Sequence, residues 1–187
     1  MDTLIWLACL VIVVFIHELG HYIAGRLFKV RVTEVQVFFF PIITYTPTFD
    51  YYKTPRDSWR RTRWILGILP FGGITRFDPY QYSVLPPLKR LIISLAGIIF
   101  NLLTWFVIMM LMVTGVYGSF FMYYLGTVSG YLALLNLIPV YPLDGGAAML
   151  ELYEMITGKS PSNEFRQKLA IIGTILIIIF FWIIPLF

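Results

Sequence analysis

Residues 4–28 form an apolar run long enough to cross a bilayer, and towards its end lie the chain's two histidines, in His17-Glu18-Leu19-Gly20-His21. A hydrocarbon core of about 30 Å takes about 20 helical residues, so the run predicts a membrane helix. On a helix, residues four apart stack on one face, so both imidazoles can hold the same ion with Glu18 beside them as a general base. The pattern points to metal-assisted hydrolysis, and its setting is lipid.

Composition supports that setting, because 59% hydrophobic and only 13% charged residues leave too little charge to cover a soluble domain. Three further stretches, residues 91–116, 120–140 and 169–186, are also apolar enough to span. The expected fold is an all-α polytopic membrane protein, a single domain over residues 1–187 with about four transmembrane helices. A removable signal peptide opens with basic residues and ends at a small-residue cleavage site. This chain opens Met1-Asp2-Thr3 and carries the histidine motif in its first apolar run, so that helix is expected to stay.

All fourteen basic residues fall within residues 26–90 or 159–168. Cytoplasmic loops hold the excess of Lys and Arg, so the expected topology places both termini outside an inner (plasma) membrane and the histidines near its cytoplasmic face. The net charge of +4 is then explained by topology and anionic lipid, not by a nucleic-acid partner. The lone Cys9 has no internal disulfide partner and reads as a lipid-facing small apolar residue.

Between the first two spans, residues 30–77 are expected to form a membrane-associated β-hairpin region. Residues 30–37 alternate apolar and polar positions and are rich in valine. Further strands are expected at residues 64–69 and 74–77, on either side of the turn Pro70-Phe71-Gly72-Gly73. The intervening loop, with Arg56, Arg60, Arg61 and Arg63, reads as leaning on headgroups. A structural hairpin and a substrate-contacting one are equally compatible with this pattern.

With no third histidine, the third ligand must be a carboxylate. Asp144 is the best placed, in Asn136-Leu137-Ile138-Pro139-Val140-Tyr141-Pro142-Leu143-Asp144-Gly145-Gly146. Prolines and paired glycines there free backbone polar groups, which membrane proteins tolerate only inside protein or beside a wet cavity. An ionisable residue in such a place is a functional candidate by default. Two imidazoles and one carboxylate leave Zn²⁺ an open position, as a catalytic site requires.

The histidine motif at the end of a membrane helix, followed downstream by Asn-x-x-Pro-x-x-Pro-Leu-Asp-Gly-Gly, resembles the site-2 protease family of intramembrane zinc metalloproteases. The order of parts is similar to the bacterial branch that cleaves anti-sigma factors. Ile68-Leu69-Pro70-Phe71-Gly72-Gly73-Ile74 resembles that branch's Pro-x-Gly-Gly-Tyr hairpin, and Ser94-Leu95-Ala96-Gly97-Ile98-Ile99-Phe100-Asn101 resembles its Ala-Gly-Pro-x-x-Asn stretch. Ile98 departs from the family's proline. The stretch linking the hairpin region to the second span is too short for the PDZ domains of that branch, and no nucleotide-sensing domain is expected after the fourth helix.

The resemblance implies one catalytic Zn²⁺ held by His17, His21 and Asp144, with Glu18 as the base. It also implies substrate contacts by Asn101, Asn136, Gly72 and Gly73, and a membrane-anchored protein as substrate, with a regulatory partner in place of the missing domains. Asn101 has an alternative role in hydrogen bonding between helices. A strand edge at residues 32–37 or 68–77 is expected to take an unwound substrate by β-augmentation. Two other classes stay open: a membrane zinc carrier, which needs no Glu18, and a subunit active only with its partner. Glu151 and Glu154 read as solvated charges on an amphipathic helix ending near Gly158, and Ser160 reads as the cap of the last helix.

Overall fold

The computed structural model describes residues 2–47, 61–115 and 119–179. In chain order its elements are α1 (Asp2–Leu27), β1 (Val32–Tyr45), β2 (Arg63–Phe77), α2 (Pro79–Ser83), α3 (Pro87–Val113), α4 (Phe120–Leu137), α5 (Asp144–Thr157) and α6 (Asn163–Ile178). Among the described residues, α1, α3 and α4 are long and apolar enough to cross a membrane. They correspond to the first three expected spans, each within a few residues.

The last helix differs from expectation at its start. It begins at Asn163 because Ser162, not Ser160, is its cap, with the Ser162 hydroxyl accepting the Phe165 N–H at 3.2 Å. Its polar first turn is invisible to a search for apolar residues. The expected span at residues 169–186 runs partly outside the described residues.

α1 and α3 cross closely at Gly20, where a methyl group would sit 2.6 Å from the Ala96 carbonyl oxygen. Small residues at membrane-helix contacts allow such approach. This contact brings the histidine face of α1 against α3. Around it, Ala24, Ile93 and Ala96 form a buried cluster with Phe77 and Tyr82 packed against it, which ties the end of β2 to both helices.

β1 and β2 form one small antiparallel sheet. Residues 34–37 of β1 each have two partners in β2, 63–66 on one side and 73–76 on the other, so β2 folds round β1 into three strands. The expected turn at residues 70–73 is therefore a bend within β2, not a break. β1 is longer than expected: residues 32–38 are mostly buried, whereas residues 39–45 are exposed and largely apolar. Alternation finds the first half and misses the second, because the second half has apolar residues on both faces. Phe38 and Phe40 have φ of 66° and 57° between these halves. Left-handed backbone is unusual for bulky residues. The bend is met by the Gln36 side-chain amide donating to the Phe38 carbonyl at 2.8 Å, and by Gly67, whose missing side chain leaves room for that carbonyl. The basic loop expected between the strands lies mostly outside the described residues.

α5 ends as expected at Gly158, with φ 68°. Glu151 and Glu154 do not behave as expected. Glu151 is 1% exposed, and the buried Arg90 of α3 lies between the two carboxylates, 2.9 Å from Glu151 and 2.6 Å from Glu154. The helix turns this face onto α3 instead of onto solvent, and opposite charge makes the burial tolerable.

Candidate active site

Being four residues apart on α1, His17 and His21 aim their Nε2 atoms at one point, 3.2 Å from each other. The third member arrives from far along the chain. Asp144 opens α5, and its Oδ2 lies 2.8 Å from His17 Nε2 and 3.1 Å from His21 Nε2. The fold fixes that position at the start of the helix, where a methyl on Gly145 would meet the Ile138 carbonyl oxygen at 2.6 Å. The ligand atoms of the three residues all lie within 4.8 Å of one another. Two nitrogens and one oxygen converging in this way suit Zn²⁺.

The outer contacts of the imidazoles agree with that use. His21 Nδ1 donates to the Ile93 carbonyl at 2.7 Å, and since a carbonyl only accepts, the Nε2 lone pair is left free. His17 Nδ1 lies 3.2 Å from the side-chain amide of Asn101. The Asn101 Oδ1 atom is buried and has no hydrogen-bond partner among the described residues. A half-turn of the amide lets Oδ1 accept from His17 Nδ1–H, which gives His17 the same tautomer as His21. Gly97 completes the wall, because a side chain there would run into His21 Nε2 and lie 2.7 Å from His17 Nε2.

Glu18 is 3% exposed and is oriented by β2. The Thr75 hydroxyl donates to Glu18 Oε2 at 2.7 Å, and a methyl on Gly73 would sit 2.6 Å from Glu18 Oε1. The β-region thus fixes the rotamer of the acidic residue of the motif and leaves room for its carboxylate. A cavity of about 550 Å³ opens onto Glu18, both histidines and Asp144, walled by residues 72–75 of β2, by Asn136 and by Thr174 and Ile177 of α6.

Seven of the eight residues singled out from sequence therefore meet at this cavity: His17, Glu18, His21, Asp144, Gly72, Gly73 and Asn136. The Asn136 side-chain amide donates to the Leu132 carbonyl at 3.0 Å. Asn101 stands apart. It is completely buried behind His17, with its side-chain amide against His17 Nδ1, and does not line the cavity. Thr75 and the Ile93 carbonyl escaped the sequence reading. The only available signal for Thr75 was a hydroxyl on a short strand.

Comparison with known proteins gives the same picture. The chain is 26% identical over 117 residues to a protein of Fusobacterium nucleatum and 29% identical over 109 residues to one of Thermotoga maritima, both named putative zinc metalloproteases. Those matches cover 58% and 51% of this chain but only 31% and 20% of the relatives, so the chain spans a third or less of their length. Its fold is similar to that of the site-2 protease from Methanocaldococcus jannaschii, with a TM-score of 0.58 at 21% identity over 97% of this chain and 68% of the other. The family model for peptidase family M50 matches residues 5–120 and 115–180. With the histidine pair, the aspartate and the fold in agreement, the chain belongs to peptidase family M50.

Proposed function

We propose that this chain is a zinc-dependent intramembrane endopeptidase that hydrolyses peptide bonds within or beside the transmembrane segment of an anchored protein. The observation that carries this reading is Glu18, buried and held by Thr75 beside three convergent ligand atoms, in a cavity between membrane-length helices. His17, His21 and Asp144 are the ligands. Zinc, when bound, supplies a Lewis acid that polarises a carbonyl and makes water a nucleophile near neutral pH. Glu18 takes the proton of the attacking water and passes it to the leaving amine. Asn136 holds the substrate backbone in the cavity. A carrier would not need a carboxylate fixed next to its ligands, and the Thr75 hydrogen bond favours the enzyme.

A helical substrate shields its peptide bonds, so it must unwind locally before it is cut. Residues 73–77 pair with β1 on one side and contribute to the cavity wall. An extended peptide added to their other side would present its backbone to Glu18 and the ligands. The last half of β1, apolar and exposed, suits contact with lipid. The distribution of basic residues supports an orientation with the site near the cytoplasmic face of an inner membrane and both termini outside.

Two results follow from this chemistry. Chelation should abolish cleavage of a single-span substrate, and Zn²⁺ should restore it where Mg²⁺ does not, because hard cations avoid imidazole ligands. Cleavage that survives complete metal removal contradicts the reading. Thr75→Val keeps shape but frees Glu18, so kcat should fall roughly tenfold, or about 1.4 kcal/mol, with zinc content unchanged. An unchanged kcat would show that Thr75 does not orient the base.

A further inference from the structure

The pairing of Arg90 with Glu151 lies outside the cavity and does none of the chemistry described above. Arg90 begins the buried face of α3, and its side chain is 7% exposed against 2% for Glu151. The Nε and Oε2 atoms are 2.9 Å apart, close as an ion pair but not aligned as a hydrogen bond. Glu154 adds a second carboxylate to Arg90 at 2.6 Å, and Arg166 of α6 reaches Glu151 at 3.4 Å, so two cations balance two anions among three helices.

The spacing of this cluster carries the inference. On α3, Arg90 lies seven residues before Gly97, which touches both histidines. On α5, Glu151 lies seven residues after Asp144. Seven residues are two helical turns less about 20°, a rise of about 10.5 Å, so each helix presents both of its positions on one face. The two helices run antiparallel and meet at two points, the metal ligands at one and the ion pair at the other. Between these points α5 carries the small, buried Ala148. Buried ion pairs add little to stability, and their best-attested use is to fix register.

We propose that Arg90 and Glu151 are positioning residues that set the register of α5 on α3 and thereby place the Asp144 carboxylate between the histidines. The inference rests on the metal-ligand reading of His17, His21 and Asp144. Loss of either charge lets α5 settle differently against α3, and the carboxylate then no longer meets the two Nε2 atoms together. Because α6 joins the cluster through Arg166 and lines the cavity through Thr174 and Ile177, the same cluster aligns one wall of the cavity with the ligands.

The test uses Co²⁺ as a probe, read by its visible absorption and by competition with a chelator, on full-length wild type, Arg90→Gln, Arg90→Lys and Glu151→Gln in detergent. The expected result is that Arg90→Gln and Glu151→Gln keep wild-type helical content yet bind Co²⁺ about 10- to 100-fold more weakly, the range found when the support of a metal ligand is removed. Their absorption bands should change, and Arg90→Lys should recover much of the affinity. Should Arg90→Gln fail to fold, Glu151→Gln decides, since it keeps the shape of the side chain. Folded variants with wild-type affinity and spectrum, altered only in melting temperature, would overturn the proposal and leave the pair a structural contact. A wild-type protein that takes up no Co²⁺ would overturn the metal reading and this inference with it.

Discussion

Glu18→Gln should leave the metal in place and remove turnover. Gln has the size and shape of Glu, and its carbonyl oxygen can still accept the Thr75 hydroxyl that lies 2.7 Å from the native carboxylate. Gly73 leaves space for either head group. Nothing in the ligand set changes, because His17, His21 and Asp144 meet without using Glu18. What disappears is the base, and positioned general bases contribute about 10²- to 10⁴-fold. A rate assay on a single-span substrate should show a loss in that range, with metal analysis giving the same zinc per chain as wild type. A variant that still cuts at more than a tenth of the wild-type rate would remove Glu18 from the mechanism.

Gly97→Ala should have an equally large effect through the opposite failure. The added methyl would run into His21 Nε2 and lie 2.7 Å from His17 Nε2, in the space where the ligand atoms converge. α3 has little freedom to retreat. It is tied to His21 by the Ile93 carbonyl, crowded against Gly20 of α1 and paired through Arg90 with α5. Overpacking a filled site costs about 1–3 kcal/mol, which a helical membrane domain can survive, so the expected product is a folded protein stripped of its metal. Zinc should fall from about one per chain, the stoichiometry of a single catalytic site, to a small fraction of that, and cleavage should fall with it. Full zinc occupancy in folded Gly97→Ala would show that the metal lies away from the point defined by the two imidazoles.

These two variants also mark what the sequence made legible. His17, Glu18 and His21 could be read together because a helix turns a four-residue spacing into a shared face, and that inference needs no partner element. Asp144 was reachable because prolines and glycines round a lone carboxylate are out of place in a membrane helix. Gly97 sat inside a recognised motif, but only the structure shows that its missing side chain leaves room for the imidazoles. Thr75 was beyond reach, since its role depends on which way β2 bends and on how it lies against α1, a pairing between distant segments. The misreading of Glu151 and Glu154 has the same origin. Charges three apart on a short amphipathic helix suggest a solvated face, and only the approach of Arg90 from α3 reveals a buried one. Asn101 shows the limit from the other side: a polar residue on an apolar helix stands out in the sequence, but only the structure shows that its partner is the far nitrogen of His17.

The central claim is that the zinc site cuts inside the membrane. The most direct test is to reconstitute the zinc-loaded protein in lipid vesicles with a single-span substrate and map the new termini by mass spectrometry. The expected cut falls within or immediately beside the span, on its cytoplasmic side, and is absent with Glu18→Gln. Cuts confined to the soluble parts of the substrate, or termini that also form with Glu18→Gln, would contradict the account.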